Sequence, residues 1–163
     1  MTGRPLWAPW RIEYITGRKD AECIFCAACA AEGTEADRVV HRGARCFTIL
    51  NAFPYAPGHV MIAPHRHVAE LEHLADDELL EMMQETRKML LGLREAMAPD
   101  GFNVGLNLGT VAGAGIADHL HIHLVPRWNG DTNFMPLLAD THVIPQALEA
   151  TRETLTAALD RLH

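Results

Sequence analysis

Residues 119–126 read His-Leu-His-Ile-His-Leu-Val-Pro, three histidines alternating with leucine and isoleucine. Few patterns restrict a chain so tightly. In a β-strand, successive side chains point to opposite faces, so His119, His121 and His123 share one face and Leu120, Ile122 and Leu124 the other. A helix would scatter the same imidazoles around its circumference. The predicted strand therefore buries one face in a core and presents nitrogen chemistry on the other. Aligned imidazoles can ligate a metal. Alternatively, one attacks while its neighbours orient it and move protons. A polar face without chemistry is the plainer alternative.

The chain has 163 residues, room for one domain with a real core. An apolar fraction of 48% and a charged fraction of 21% are those of an ordinary globular protein. A formal net charge of −7 argues against a general nucleic-acid-binding surface, which needs a basic patch. It leaves room for a small anionic ligand in a local pocket. No apolar run approaches about 18 residues, so no membrane span is expected. The stretch Met1-Thr2-Gly3-Arg4-Pro5 lacks the apolar centre of a signal peptide, and the expected location is cytoplasmic. Cys23, Cys26, Cys29 and Cys46 then read as thiols or metal ligands rather than disulfides.

Residues 1–19, with Leu6-Trp7-Ala8-Pro9-Trp10-Arg11 and Tyr14, read as an arm laid over an apolar surface, with a lid or dimer contact as the sharper reading. Cys23 and Cys26 suit half of a tetrahedral zinc site. The alanines of 27–31 predict a short helix ending near Gly33. Strands are expected over Arg38–His41, Cys46–Asn51 and His59–Ala63, with a turn-rich loop from Phe53 to Gly58. The clearest helix spans 76–98, with Asp76 as N-cap and Leu79, Met82, Met83, Leu90, Leu93 and Met97 on one stripe. A strand follows over Phe102–Leu108. The glycine-rich loop Gly109–Gly115 offers backbone N–H groups to anionic oxygens. A last helix is expected from Pro145, with Leu148, Leu155, Leu159 and Leu162 as its apolar set.

The alternating histidines resemble the signature of the histidine-triad (HIT) family of nucleotide hydrolases and transferases. Asn51 through Pro57-Gly58-His59, Asn107, and Val125-Pro126-Arg127-Trp128 resemble further family segments. The Trp-Ala-Pro-Trp-Arg element is similar to the bacterial diadenosine-tetraphosphate hydrolase and phosphorylase branch. The resemblance implies an α+β, HIT-like fold: one domain over 1–163, a five-stranded antiparallel sheet with packed helices, extended across a homodimer. It implies action on the α-phosphate of dinucleoside polyphosphates through a nucleotidyl-histidine intermediate. His121 would be the nucleophile, with His123, His119 and His59 completing the catalytic set. Asn51, Phe47, Asn107, Gly113 and Gly115 would bind the nucleotide. Structural zinc would be held by Cys23, Cys26, His67 and His119, with Cys29 and His65 as spare ligands, and magnesium would accompany the polyphosphate. The partners implied are a nucleotide and a second copy of the chain, with no nucleic acid and no membrane.

One departure stands out. Where family members carry glutamine or serine before the first histidine, this chain has Ala114-Gly115-Ile116. Only backbone N–H donors remain there, which leaves the acceptor open between water and inorganic phosphate. Other readings are a phosphoramidate hydrolase, a metal-dependent enzyme using His119, His121, His123 and His59 as ligands, and a nucleotide-binding module without turnover.

Overall fold

A computed structural model describes residues 23–31, 38–131 and 147–162. The N-terminal arm, Gly33 and Pro145 lie outside them. Among the described residues the elements are α1 (Ile24–Ala30), β1 (Val39–Arg42), β2 (Cys46–Leu50), β3 (Val60–Pro64), α2 (Asp76–Met97), β4 (Gly101–Leu106), β5 (Ile122–Arg127) and α3 (Leu148–Arg161). The five strands form one antiparallel sheet in the order β1-β2-β3-β5-β4. The expected α+β architecture is present.

The period-two pattern sorts side chains onto two faces. Leu50, Val60, Ile62, Leu120, Ile122 and Leu124 pack against Met82, Met89 and Leu93 of α2 and Leu155 and Leu159 of α3. Phe47, Ile49, Met61 and Ala63 point the other way, onto Phe25 and Ala28 of α1. Helices α2 and α3 thus cover one face of the sheet, and the short α1 covers part of the other.

Three details differ from the sequence reading. First, β5 begins only at Ile122, which pairs with Ile62. The Leu120 N–H turns instead to the Val68 carbonyl at 2.7 Å, yet the residues stay extended enough to keep the alternation. Second, Asp76 is not the N-cap of α2; Ala75 holds that position. The Glu78 carboxylate accepts the Ala75 N–H at 2.8 Å and a two-pronged bond from Arg66 at 2.7–2.8 Å. That guanidinium holds the Glu78 carboxyl down at about 2, so the cap stays charged. Third, Met83 and Leu162 are exposed, because the buried stripes run through Met82, Met89 and Leu93 and through Leu155 and Leu159.

The turn before β3 needs its glycine. Gly58 has φ of +75°, and a Cβ there would lie 2.7 Å from Met97 Sδ and 3.0 Å from Leu93 Cδ2. Only a residue without Cβ lets this backbone sit down on α2 and deliver His59 to the opposite face.

Candidate active site

Histidines gather where β3 and β5 lie side by side. His59 enters just before β3, and His121 and His123 come from the start of β5. Met61 pairs with His123 across the strands. The rings of His59 and His123 are 5.2 Å apart, and those of His121 and His123 are 4.8 Å apart.

Backbone groups settle which nitrogen carries each proton, because a carbonyl can only accept and an N–H only donate. The Tyr55 N–H donates to His59 Nδ1 at 3.2 Å. The proton of neutral His59 is therefore on Nε2, which donates to His123 Nδ1 at 3.0 Å. Neutral His123 then carries its own proton on Nε2. His121 Nδ1 donates to the His119 carbonyl at 2.8 Å, leaving the lone pair on Nε2. Burial is the main cause that lowers the His121 pKa, favouring the neutral imidazole. Two separate hydrogen-bond chains thus leave a bare Nε2 on His121 and an N–H on the neighbouring His123 ring.

His59 is almost fully buried, and its pKa is driven down to about 3, first by burial and then by the nearby His123 and His121. Between about pH 6.5 and 3 the unfolded chain takes up a proton that the folded one refuses, so folding stability is complete above the unfolded pKa and falls as pH drops through that window. The expected slope is up to about 1.4 kcal/mol per pH unit from this one proton. Denaturant titrations across this range should show it in the wild type and a flatter profile in His59→Gln. An unchanged slope in the variant would place the acid sensitivity elsewhere.

Both His121 and His123 line a cleft together with Asn51, Asn107, Gly113 and Gly115. Asn51 Oδ1 accepts the Phe53 N–H at 2.9 Å, and its amide nitrogen lies 3.4 Å from His59 Nδ1. The glycine loop forms a short turn over Thr110–Ala112 between Gly109 and Gly113, both at positive φ. Ile24, Met61, Ala52 and Ile116 add apolar wall, and Arg38, Phe53 and Tyr55 complete it. Phe47 stands elsewhere. It has no exposed surface, meets Phe25 edge-on at 6.4 Å and stacks on His65, so it supports the floor as a core residue and does not line the cleft.

His119 belongs to a second cluster. Its Nε2 donates to the Pro64 carbonyl at 2.9 Å, so the Nδ1 lone pair faces Cys23 Sγ at 3.4 Å and Cys26 Sγ at 3.7 Å. His67 Nδ1 lies 3.3 Å from Cys26 Sγ. The ligand atoms of Cys23, Cys26, His67 and His119 all lie within 4.8 Å of one another. Two soft sulfurs and two imidazoles, one already anchored through its other nitrogen, suit a tetrahedral metal ion. Of the three alternating histidines, only His119 joins this group; His121 and His123 are engaged in the cleft.

Phe25 joins the two clusters. Its ring, between Cys23 and Cys26 in sequence, lies 5.0 Å from His119 and 4.8 Å from His121. Sequence reasoning missed this residue, Arg38, and the backbone donor of Tyr55. An apolar residue inside Cys-x-x-Cys looks like any core residue, and a main-chain hydrogen bond leaves no mark in a sequence.

The sequence profile of the HIT domain matches residues 32–130. The chain is 42% identical over 158 residues to a Mycobacterium tuberculosis protein named AP-4-A phosphorylase, covering 92% of this chain and 81% of that one. It is 30% identical over 94 residues to the asymmetrical bis(5'-nucleosyl)-tetraphosphatase of Schizosaccharomyces pombe, covering 58% and 51%. Among solved structures, a Zn-bound histidine triad family protein from Mycobacterium smegmatis superposes with a TM-score of 0.71 at 25% identity, covering 86% of this chain and 95% of that one. No helix among the described residues is long and apolar enough to cross a membrane. The histidine arrangement, the five-stranded sheet and these matches together establish that this chain belongs to the HIT domain family.

Proposed function

We propose that the chain is a nucleotidyl transferase acting on the α-phosphate of dinucleoside polyphosphates, with inorganic phosphate as the acceptor. The carrying observation is the proton order of the histidines: a bare Nε2 on His121, set by the His119 carbonyl, and an N–H on the neighbouring His123, set through His59. His121 Nε2 attacks the α-phosphorus, forming an N–P bond as the bridging bond from phosphorus to oxygen breaks. His123 Nε2–H donates toward the departing phosphate oxygen, and His59 holds His123 in that tautomer. Asn107 and the N–H groups around Gly113 and Gly115 bind the non-bridging oxygens where charge builds up. Asn51 faces the ribose. In the second half, a phosphate oxygen attacks the same phosphorus and the N–P bond breaks, returning His121 to its bare form.

The phosphate acceptor is favoured by the relative matched along most of both chains, which is named a phosphorylase. Water is the second reading, favoured by the tetraphosphatase and by a loop with no side-chain donor at Ala114-Gly115-Ile116. Product analysis on diadenosine tetraphosphate decides. ADP plus ATP, formed only with inorganic phosphate, is the expected result. AMP plus ATP, indifferent to phosphate, would replace the phosphorylase by a hydrolase. No product from either mixture would sink dinucleoside tetraphosphates as substrates and move the reading to phosphoramidates. Magnesium would accompany the polyphosphate rather than form part of the protein site.

Cys23, Cys26, His67 and His119 are the residues that would hold a structural zinc ion, and with four protein ligands it would have no open coordination position. They fit that ion, as judged from the donor set and its spacing. Binding there would tie α1 to the segment carrying His121.

The homodimer is part of the same reading. β4 is an edge strand that exposes Val104 (49%) and Leu106 (37%), an apolar edge of the kind that a second copy pairs with. Sedimentation should show a dimer in the wild type and a monomer in Val104→Lys. A monomeric wild type would remove the dimer from the proposal.

A further inference from the structure

We infer that Arg38 reads the edge of the nucleobase and gives the cleft a preference for guanine over adenine. This deepens the nucleotide reading above and rests on it.

Among the described residues lining the cleft, Arg38 is the one permanent cation; the rest are two histidines, two asparagines, Tyr55, apolar side chains and glycines. Its position follows from the sheet. The Arg38 carbonyl accepts the Leu50 N–H at 3.0 Å, which sets Arg38 beside the end of β2, next to Asn51. The attacking histidine comes from β5, three strands away in the order β1-β2-β3-β5-β4. At about 4.8 Å per strand, Arg38 is roughly 14 Å from that strand. Asn107 and the glycine loop lie on the opposite flank, beyond β5. A nucleotide with its phosphorus at His121 and its oxygens at the glycine loop must lay its ribose past Asn51 and its base toward β1. The wall on the way, Ile24, Met61 and Ala52, is apolar and suits the flat faces of a base. Arg38 stands where the edge of that base arrives.

The guanidinium has donors to give. Its polar contact among the described residues is the Leu50 carbonyl at 3.4 Å, near the outer limit of a hydrogen bond. A planar fork of N–H donors matches an edge with two adjacent acceptors. Guanine offers N7 and O6, both acceptors. Adenine offers N7 beside the N6 amino group, so a donor would face a donor. The backbone supplies a second, independent sign. Arg38 has φ of +51°; the other described non-glycine residue with positive φ, Ala98, merely closes the end of α2. A strained backbone holding a side chain at a cleft wall is the arrangement found in ligand clamps.

The test is calorimetric titration of the full chain with GMP and with AMP, in the wild type and in Arg38→Gly. Glycine adopts positive φ without strain, so the variant loses the guanidinium while keeping the local backbone, and its melting temperature checks this. The wild type should bind GMP about tenfold more tightly than AMP, and the variant should bind the two alike. Equal affinities in the wild type, a preference that survives in Arg38→Gly, or no binding of either nucleotide would each overturn the inference. The enzymatic reading fails differently. A chain that prefers GMP yet turns over neither diadenosine nor diguanosine tetraphosphate keeps the base reader and loses the reaction.

Discussion

Replacing His121 with alanine should lower turnover of a dinucleoside polyphosphate by roughly 10⁴-fold or more, because the variant has no atom to form the covalent intermediate. His121 is buried, so the substitution will also cost some stability, and circular dichroism must show a folded variant before its rate is read. His123→Ala should lose less, since it removes a proton donor and leaves the nucleophile in place. General acid catalysis is typically worth about 10²–10⁴-fold. Brief exposure of the wild type to substrate labelled on the α-phosphate should leave acid-labile label on His121. Retention of more than a few per cent of activity in the alanine variant, or label on His123, would sink the assignment.

Removing the metal should act mainly through stability. If each chain carries one zinc on Cys23, Cys26, His67 and His119, chelation withdraws a ligand bound only by the folded state. At a hundredfold excess of free metal over its dissociation constant, that linkage is worth about 2.7 kcal/mol. For a chain of this size the melting temperature should drop by about 5–10 °C. Elemental analysis should find one zinc per chain in the wild type and little in Cys26→Ser. His119 supplies both a candidate ligand atom and the carbonyl that fixes the His121 tautomer. Loss of metal should therefore lower the rate as well, by loosening that carbonyl. A wild type with far less than one zinc per chain, or a melting temperature indifferent to chelation, would remove the metal from the account.

Much of the fold was legible because the sheet's chemistry has period two. Leu120, Ile122 and Leu124 went to the core with α2 and α3, and the intervening histidines to the other side, as alternation requires. The Pro57-Gly58-His59 turn announced itself through a glycine that the backbone needs. The four metal candidates came from the resemblance and meet within 4.8 Å. Phe47 misled, because a strand residue next to a cleft and one beneath it carry the same apolar side chain. Asp76 misled because the capping function had passed to Glu78, two residues further on, held there by Arg66.

The sequence by itself determined which groups could do chemistry: the alternating imidazoles, the cysteine pair and the glycine loop. These depend on residue type and on spacing along one strand or loop, and both are written in the chain. Only the tertiary structure decided how the three histidines divide their work. His119 turns its Nδ1 to the cysteines because the Pro64 carbonyl takes its other nitrogen. His121 is left with a bare Nε2 because the His119 carbonyl takes Nδ1, and His123 receives its tautomer from Tyr55 through His59. Each choice is made by a backbone group brought up from another part of the chain or by the local course of the chain, and a main-chain carbonyl or N–H is the same at every residue. The placement of Arg38 beside Asn51 has the same origin, since the pairing of β1 with β2 brings the two together.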